Sequence, residues 1–197
     1  MIRMFKADFV TIVSGLPRSG TSMMMSMLEA GGVPVLSDGV RTADADNPKG
    51  YYEFERVKKI KDDKAWLPEA RGKVVKMISQ LLLDLPEDGS EYKVIFMRRH
   101  IHEILASQKQ MMIRRGTFKE GGPSDEEIGG LLMTHVDAVL KRMGSRSDVD
   151  LIEVDYNAIM KGDQSCVPRI NRHLGGTLNV EAMAAVVDKN LYRQRKD

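Results

Sequence analysis

The stretch FVTIVSGLPRSGTSMMMSMLEAGG, Phe9 to Gly32, decides the fold. Phe9 to Ser14 is a short β-rich run. The glycines and Pro17 end it, and a helical stretch from about Gly20 to Ala30 follows, closed by Gly31 and Gly32. Strand, glycine-rich loop and helix in that order make an anion cradle, because successive backbone amides and the amino-terminal end of the helix converge on one point. Gly15 and Gly20 have the spacing of the Walker pattern G-x-x-x-x-G-K-[ST], but Thr21 stands where the lysine would reach the terminal phosphates of a nucleoside triphosphate. Arg18, three positions earlier, supplies a cation that can grip an oxyanion in bidentate fashion, and Ser19, Thr21 and Ser22 add hydroxyls. Read alone, the same loop also fits a glycine-rich turn with no ligand.

Further along, Val33 to Leu36 reads as a second short strand, Glu53 to Trp66 as a charged helix, Lys73 to Met77 as a buried strand and YKVIFM, Tyr92 to Met97, as the clearest strand of all. Ile101 to Arg115 and Asp125 to Met143 are helical by length and periodicity, with Ser124 as an amino-terminal cap. Asp150 to Val154 is the last strand, and two or three short helices broken by Gly162 and by Gly175-Gly176 complete the chain. Short strands alternating with helices predict an α/β fold of three layers, a P-loop-like architecture whose central, mainly parallel sheet is flanked by helices, with ligands at the strands' carboxyl ends. The length of 197 residues suits one domain, 1–197.

Composition narrows the function. Thirty basic against 28 acidic residues leave a net charge of +2, so no global field favours nucleic acid and any anion site is local. The single cysteine, Cys166, cannot form an internal disulfide or a thiolate metal cluster. No apolar run reaches the roughly 18 residues of a membrane span, and the expectation is a soluble cytoplasmic protein. The 14 methionines, among them Met23, Met24, Met25 and Met27 in the first helix, read as core filler.

The run Pro17-Arg18-Ser19-Gly20-Thr21-Ser22 resembles the phosphosulfate loop P-[KR]-[ST]-G-T-[ST] of the sulfotransferase superfamily. In that family a later strand ends in an arginine followed eight residues on by a serine. The two grip the 3′-phosphate of the donor 3′-phosphoadenosine 5′-phosphosulfate (PAPS). YKVIFMRRHIHEILAS puts Arg99 and Ser107 at that spacing, with Arg98 an adjacent competitor. DNPKGYYEFE, Asp46 to Glu55, looks like the N-P-x-G-[YF]-[FY]-E segment of bacterial members, and VDYNAIMKGD and INRHLGG match the later half loosely. The resemblance implies a PAPS-dependent sulfotransferase, with PAP as product and a hydroxyl or amine acceptor. Pro17, Arg18, Ser19, Gly20, Thr21, Ser22, Arg99 and Ser107 would bind the donor, Arg18 would stabilise the leaving phosphate, and no metal would enter the chemical step.

The family's strand-end histidine is absent from Val75-Lys76-Met77-Ile78. Other family members use a glutamate after the second strand, so the resemblance makes Glu53 the candidate base, with Glu55 its rival, while Glu53 also reads as an ordinary first-turn carboxylate. Lys76 is a candidate to steer donor or acceptor, or else a strand-end surface lysine. His100, His102, His135 and His173 read as structural or solvent-facing, and no metal geometry is expected. Two other readings stay open: a P-loop kinase or nucleotide hydrolase, and a non-catalytic homologue that keeps the nucleotide site. The acceptor, a small molecule whose pocket lining is expected from residues 37–66 and 116–124, has no readable class, and oligomeric state is equally open. The basic tail with Arg193, Arg195 and Lys196 is either solvated or closes over the 3′-phosphate.

Overall fold

The computed structural model describes residue 5 and residues 7–40 and 50–192. Asp46 to Lys49 and the tail arginines therefore lie outside the described residues. Four strands, β1 (Val10–Gly15), β2 (Val74–Lys76), β3 (Tyr92–Arg98) and β4 (Val149–Asp155), form one all-parallel sheet in the order β2-β1-β3-β4. Among the described residues seven α-helices flank it: α1 (Thr21–Ala30), α2 (Leu67–Ala70), α3 (Ile101–Arg114), α4 (Asp125–Gly144), α5 (Tyr156–Met160), α6 (Cys166–His173) and α7 (Val180–Ala185).

The pleat explains why the strands are apolar on both sides. Alternate residues point to opposite faces, so Val13, Ile95 and Met97 join one core with Met24, Met25, Met27 and Leu28 of α1 and with α5 to α7. Ile12, Val94 and Phe96 join the other, with Trp66, Ile104 of α3 and Val136, Val139 and Met143 of α4. Trp66 is fully buried, stacks edge-on against Phe54 and donates its indole N–H to the Asp63 carbonyl at 3.0 Å. The Ser124 cap forms as a complete capping box, its Oγ accepting from the Glu127 amide while the Glu127 carboxylate accepts from the Ser124 amide.

Two elements differ from expectation. Val33 to Leu36 contributes one parallel bridge, Val35 to Val74, and no strand, because Pro34 has no N–H to extend the ladder. The helix expected over Glu53 to Trp66 is a 3-10 helix, Glu55–Lys59, followed by turns. The buried residues there, Val57 and Ile60, are three apart and match the three-residue repeat of that tighter helix.

The strand order fixes where a ligand can sit. The chain passes from β1 out to β2 and then crosses to β3 on the other side of β1, so the carboxyl ends of β1 and β3 flank the point where the direction of winding reverses. The 15–20 loop leaves β1 there, and Arg99 follows β3.

Candidate functional site

The loop between β1 and α1 is built around two backbone constraints. Gly15, at φ 146°, has no room for a side chain: a Cβ would lie 2.5 Å from Ser19 Oγ and 2.7 Å from the Met97 carbonyl oxygen. Gly20, at φ 100°, sits against Tyr156, whose ring a Cβ would meet at 2.3 Å. Between them Arg18 takes the left-handed conformation, φ 76°, which a non-glycine residue holds only when its surroundings enforce it. Gly20 caps α1 with no side-chain hydrogen bond, so the first-turn amides are left to face the loop.

Arg18 Nε donates to Ser107 Oγ at 2.9 Å, and Arg99 Nη1 donates to the Arg18 carbonyl at 3.0 Å. The loop, the residue after β3 and the second turn of α3 thus close on one another. Arg98 pairs with Glu153 at 2.9 Å and does not line the cavity that Arg99 lines. Ser19 is fully buried, and its Oγ has no hydrogen-bond partner among the described residues.

A buried polar set that the sequence reading did not weigh holds Arg99. Its Nε donates to Glu103 Oε2 at 2.9 Å, and its guanidinium carbon lies 4.6 Å from the centre of the Tyr156 ring. Glu103, 2% exposed, also accepts from Asn157 Nδ2 at 3.0 Å and from the Tyr192 hydroxyl at 2.8 Å. Burial pushes the Glu103 carboxyl up, but the hydrogen bonds from Tyr192, Arg99 and Asn157 outweigh it and hold the group below its ordinary range. Burial likewise raises the phenols of Tyr156 and Tyr192. The one available signal was the four-residue spacing of Arg99 and Glu103, which sets a residue just before α3 beside the helix's first turn.

On the far side of the loop runs a strap, residues 50–55. Tyr52 is left-handed at φ 53°, and its hydroxyl donates to Glu29 Oε2 at 2.7 Å and lies 2.8 Å from Ser26 Oγ, both on α1. Lys76 Nζ bonds the Tyr51 carbonyl and lies 3.4 Å from Ser22 Oγ, joining the strap to the loop. Glu53 pairs with Lys58 at 3.2 Å.

These groups surround one cavity of about 330 Å³, large enough for a small ligand. Pro17, Arg18, Gly20, Thr21, Ser22, Glu53, Lys76, Arg99 and Ser107 all line it, with Ser19 buried beneath. Glu55 does not line it and instead pairs with Lys58 at 2.6 Å on the surface. Residues 116–124, expected to line an acceptor pocket, do not line this cavity. The wall is made by Gln110, Met111, Arg114 and Arg115 of α3 and its end, because the helix continues past Ser107 along the cavity. The histidines lie outside: His135 Nε2 is 2.9 Å from Ser79 Oγ, and His173 ends α6 with Nδ1 3.3 Å from Asp150. Among the described residues no group of three or more His, Cys, Asp or Glu side chains is placed to hold a metal ion, and no helix is long and apolar enough to cross a membrane.

No family model matches the chain, and no curated protein matches its sequence. Among solved structures it is similar to the sulfotransferase domain from the curacin biosynthetic pathway, with 12% identity and a TM-score of 0.52 over 94% of this chain and 89% of that one. It is also similar to the sulfotransferase domain from the Synechococcus PCC 7002 olefin synthase, with 12% identity and a TM-score of 0.58 over 90% and 76%. A third likeness is to mouse sulfotransferase SULT7A1 complexed with PAP, with 14% identity and a TM-score of 0.52 over 96% and 66%. What is shared at such identities is the fold: this chain has the sulfotransferase fold, as the loop's resemblance implies.

Proposed function

We propose that the chain is a sulfotransferase that moves a sulfuryl group from PAPS to a hydroxyl or amine. The observation that carries this reading is the closure of Arg18, Arg99 and Ser107 on one another beside the uncapped start of α1. Two arginines, a serine hydroxyl and a fan of amides suit a ligand with two separated anionic groups better than a single terminal phosphate. Likeness to a fold that includes a PAP complex supports the same donor.

PAPS supplies an activated sulfuryl group on its 5′-phosphate. Arg18 and the loop amides hold the charge released on the 5′-phosphate oxygen when its bond to sulfur breaks. Arg99 and Ser107 hold the 3′-phosphate. Glu53, on the strap and lining the same cavity as the loop, takes the proton of the acceptor hydroxyl as the new sulfur–oxygen bond forms. Lys76, tied to the Tyr51 carbonyl and close to Ser22, positions the strap and the loop relative to each other.

The test is transfer of label from radiolabelled PAPS to a panel of hydroxyl and amine acceptors. Wild type should transfer, Arg18→Ala should be slowed about 100-fold or more, and Glu53→Gln should lose a comparable amount. Magnesium-dependent ATP turnover in place of transfer would contradict the reading, and donor binding without transfer would mark a non-catalytic homologue.

A further inference from the structure

The buried carboxylate of Glu103 divides its two oxygens between two parts of the chain. Oε2 accepts from Arg99 Nε at 2.9 Å. Oε1 accepts from the Tyr192 hydroxyl at 2.8 Å and from Asn157 Nδ2 at 3.0 Å. Asn157 Nδ2 also donates to the Tyr192 hydroxyl oxygen at 2.7 Å, and Asn157 Oδ1 accepts from the His100 amide at 2.9 Å. A carboxylate is planar, so the donors on Oε1 fix the direction in which Oε2 meets Arg99. Arg99 in turn donates from Nη1 to the Arg18 carbonyl at 3.0 Å, which carries the chain of bonds from Tyr192 to the loop after β1.

For stability alone, apolar packing would serve as well as a buried ion pair or better. What the polar set adds is a fixed direction for a guanidinium at a cavity wall, as a supporting shell does for the groups that meet a ligand. Tyr192 does not line the cavity, but Val186, Asp188 and Leu191 just before it do. The Leu191 amide donates to the Asp188 carbonyl at 3.1 Å and the Tyr192 amide to the Lys189 carbonyl at 3.2 Å, so the hydroxyl and this stretch of wall belong to one 3-10 turn. The Tyr192 ring meets Tyr156 edge-on at 5.8 Å between centres, and Tyr156 is the ring that lies beside the Arg99 guanidinium.

Resting on the sulfotransferase reading above, we infer that Tyr192 is a positioning residue for the donor: through Glu103 its hydroxyl aims Arg99 at the 3′-phosphate. Docking of the 188–192 turn and binding of a 3′-phosphate are therefore linked. Each strengthens the other by the same factor, as linkage requires. The 5′-phosphate, held by Arg18 and the loop amides, is outside this link.

The experiment titrates the full chain by calorimetry with 3′,5′-adenosine bisphosphate, adenosine 3′-monophosphate and adenosine 5′-monophosphate. Tyr192→Phe keeps the ring and removes the hydroxyl. It should weaken the bisphosphate and the 3′-monophosphate by about 2- to 12-fold and leave the 5′-monophosphate within about twofold of wild type. In an Arg99→Ala background the same substitution should change bisphosphate affinity by less than about twofold, because the residue through which it acts is gone. A second measurement needs no substitution: amide hydrogen exchange in residues 188–192 of wild type should slow more with the 3′-monophosphate bound than with the 5′-monophosphate. Both nucleotides carry the same adenosine, so the difference belongs to the 3′-phosphate. The inference is overturned if Tyr192→Phe weakens both monophosphates alike or neither, if its effect persists without Arg99, or if the two nucleotides protect 188–192 equally. Failure of wild type itself to bind the bisphosphate would overturn the donor reading, and the inference with it.

Discussion

Arg18 Nε and Ser107 Oγ lie 2.9 Å apart although 89 residues separate them in the chain. They meet because β1 and β3 are neighbours at the point where the winding of the sheet reverses, so the loop after one and the helix after the other share a crevice. The serine fixes the arginine head. Ser107→Ala should therefore weaken binding of 3′,5′-adenosine bisphosphate by about 2- to 12-fold, the worth of one hydrogen bond of about 0.5–1.5 kcal/mol. Calorimetry measures it, with thermal denaturation checking that the fold is unchanged.

Glu103 makes stability depend on acid pH. Its folded-state pKa is lowered from the ordinary 4.5, so its contribution is fully present above that value and is lost as pH falls through the lowered folded value. Glu103→Gln removes the charge from a pair whose side chains are only 8% and 2% exposed, and should cost about 3–5 kcal/mol near neutral pH. The gap between wild type and variant in denaturant unfolding should hold from neutral pH down to about pH 5 and narrow as pH falls below the ordinary 4.5. A gap that stays constant would mean the carboxylate acts by shape alone.

Gly20→Ala should be costly for two reasons that a double substitution separates. The left-handed φ of 100° alone costs about 1–2 kcal/mol for a residue with a Cβ, and that Cβ meets Tyr156 at 2.3 Å. The Tyr156 ring backs Arg99 at 4.6 Å, so displacing it should also weaken bisphosphate binding. Gly20→Ala/Tyr156→Leu should recover part of the stability but not the affinity.

The strap is latched by one hydroxyl. Tyr52→Phe removes the bond to Glu29 at 2.7 Å and the contact with Ser26 at 2.8 Å, and should cost about 1–2 kcal/mol locally. Burial raises the Tyr52 phenol above its ordinary 10.0, so it stays neutral and the latch holds across the physiological range. Hydrogen exchange should quicken in residues 50–55 and not in β3. Sulfuryl transfer should slow through kcat, because Glu53 is carried on the same strap.

The first third of the site was legible because its chemistry is local: a strand, two spaced glycines and a basic residue between them occupy one short run. Arg99 and Ser107 were legible as a spacing from the end of β3 to the second turn of the helix that follows. Glu103, Asn157 and Tyr192 were not, since three polar residues from distant segments form a set only after α3, α5 and the end of the described chain pack together. The 53–66 region misled because its charge suggested a solvated α-helix, whereas Val57 and Ile60 bury at a repeat of three and Asp63 turns the chain through its bond to the Ala65 amide. Of the two segments expected to line an acceptor pocket, 37–66 gives the cavity Tyr51 and Glu53 while 116–124 gives it nothing, because α3 itself extends along the cavity through Arg114 and on to Arg115.

The most direct measurement is calorimetric titration with 3′,5′-adenosine bisphosphate, beside ATP with magnesium, on wild type, Arg18→Ala and Arg99→Ala. The account predicts that wild type binds the bisphosphate and ignores ATP. Each substitution should weaken the bisphosphate by about 10- to 100-fold, as loss of a charged hydrogen-bonding partner does. Preference for ATP with magnesium, or bisphosphate affinity that neither arginine affects, would contradict it.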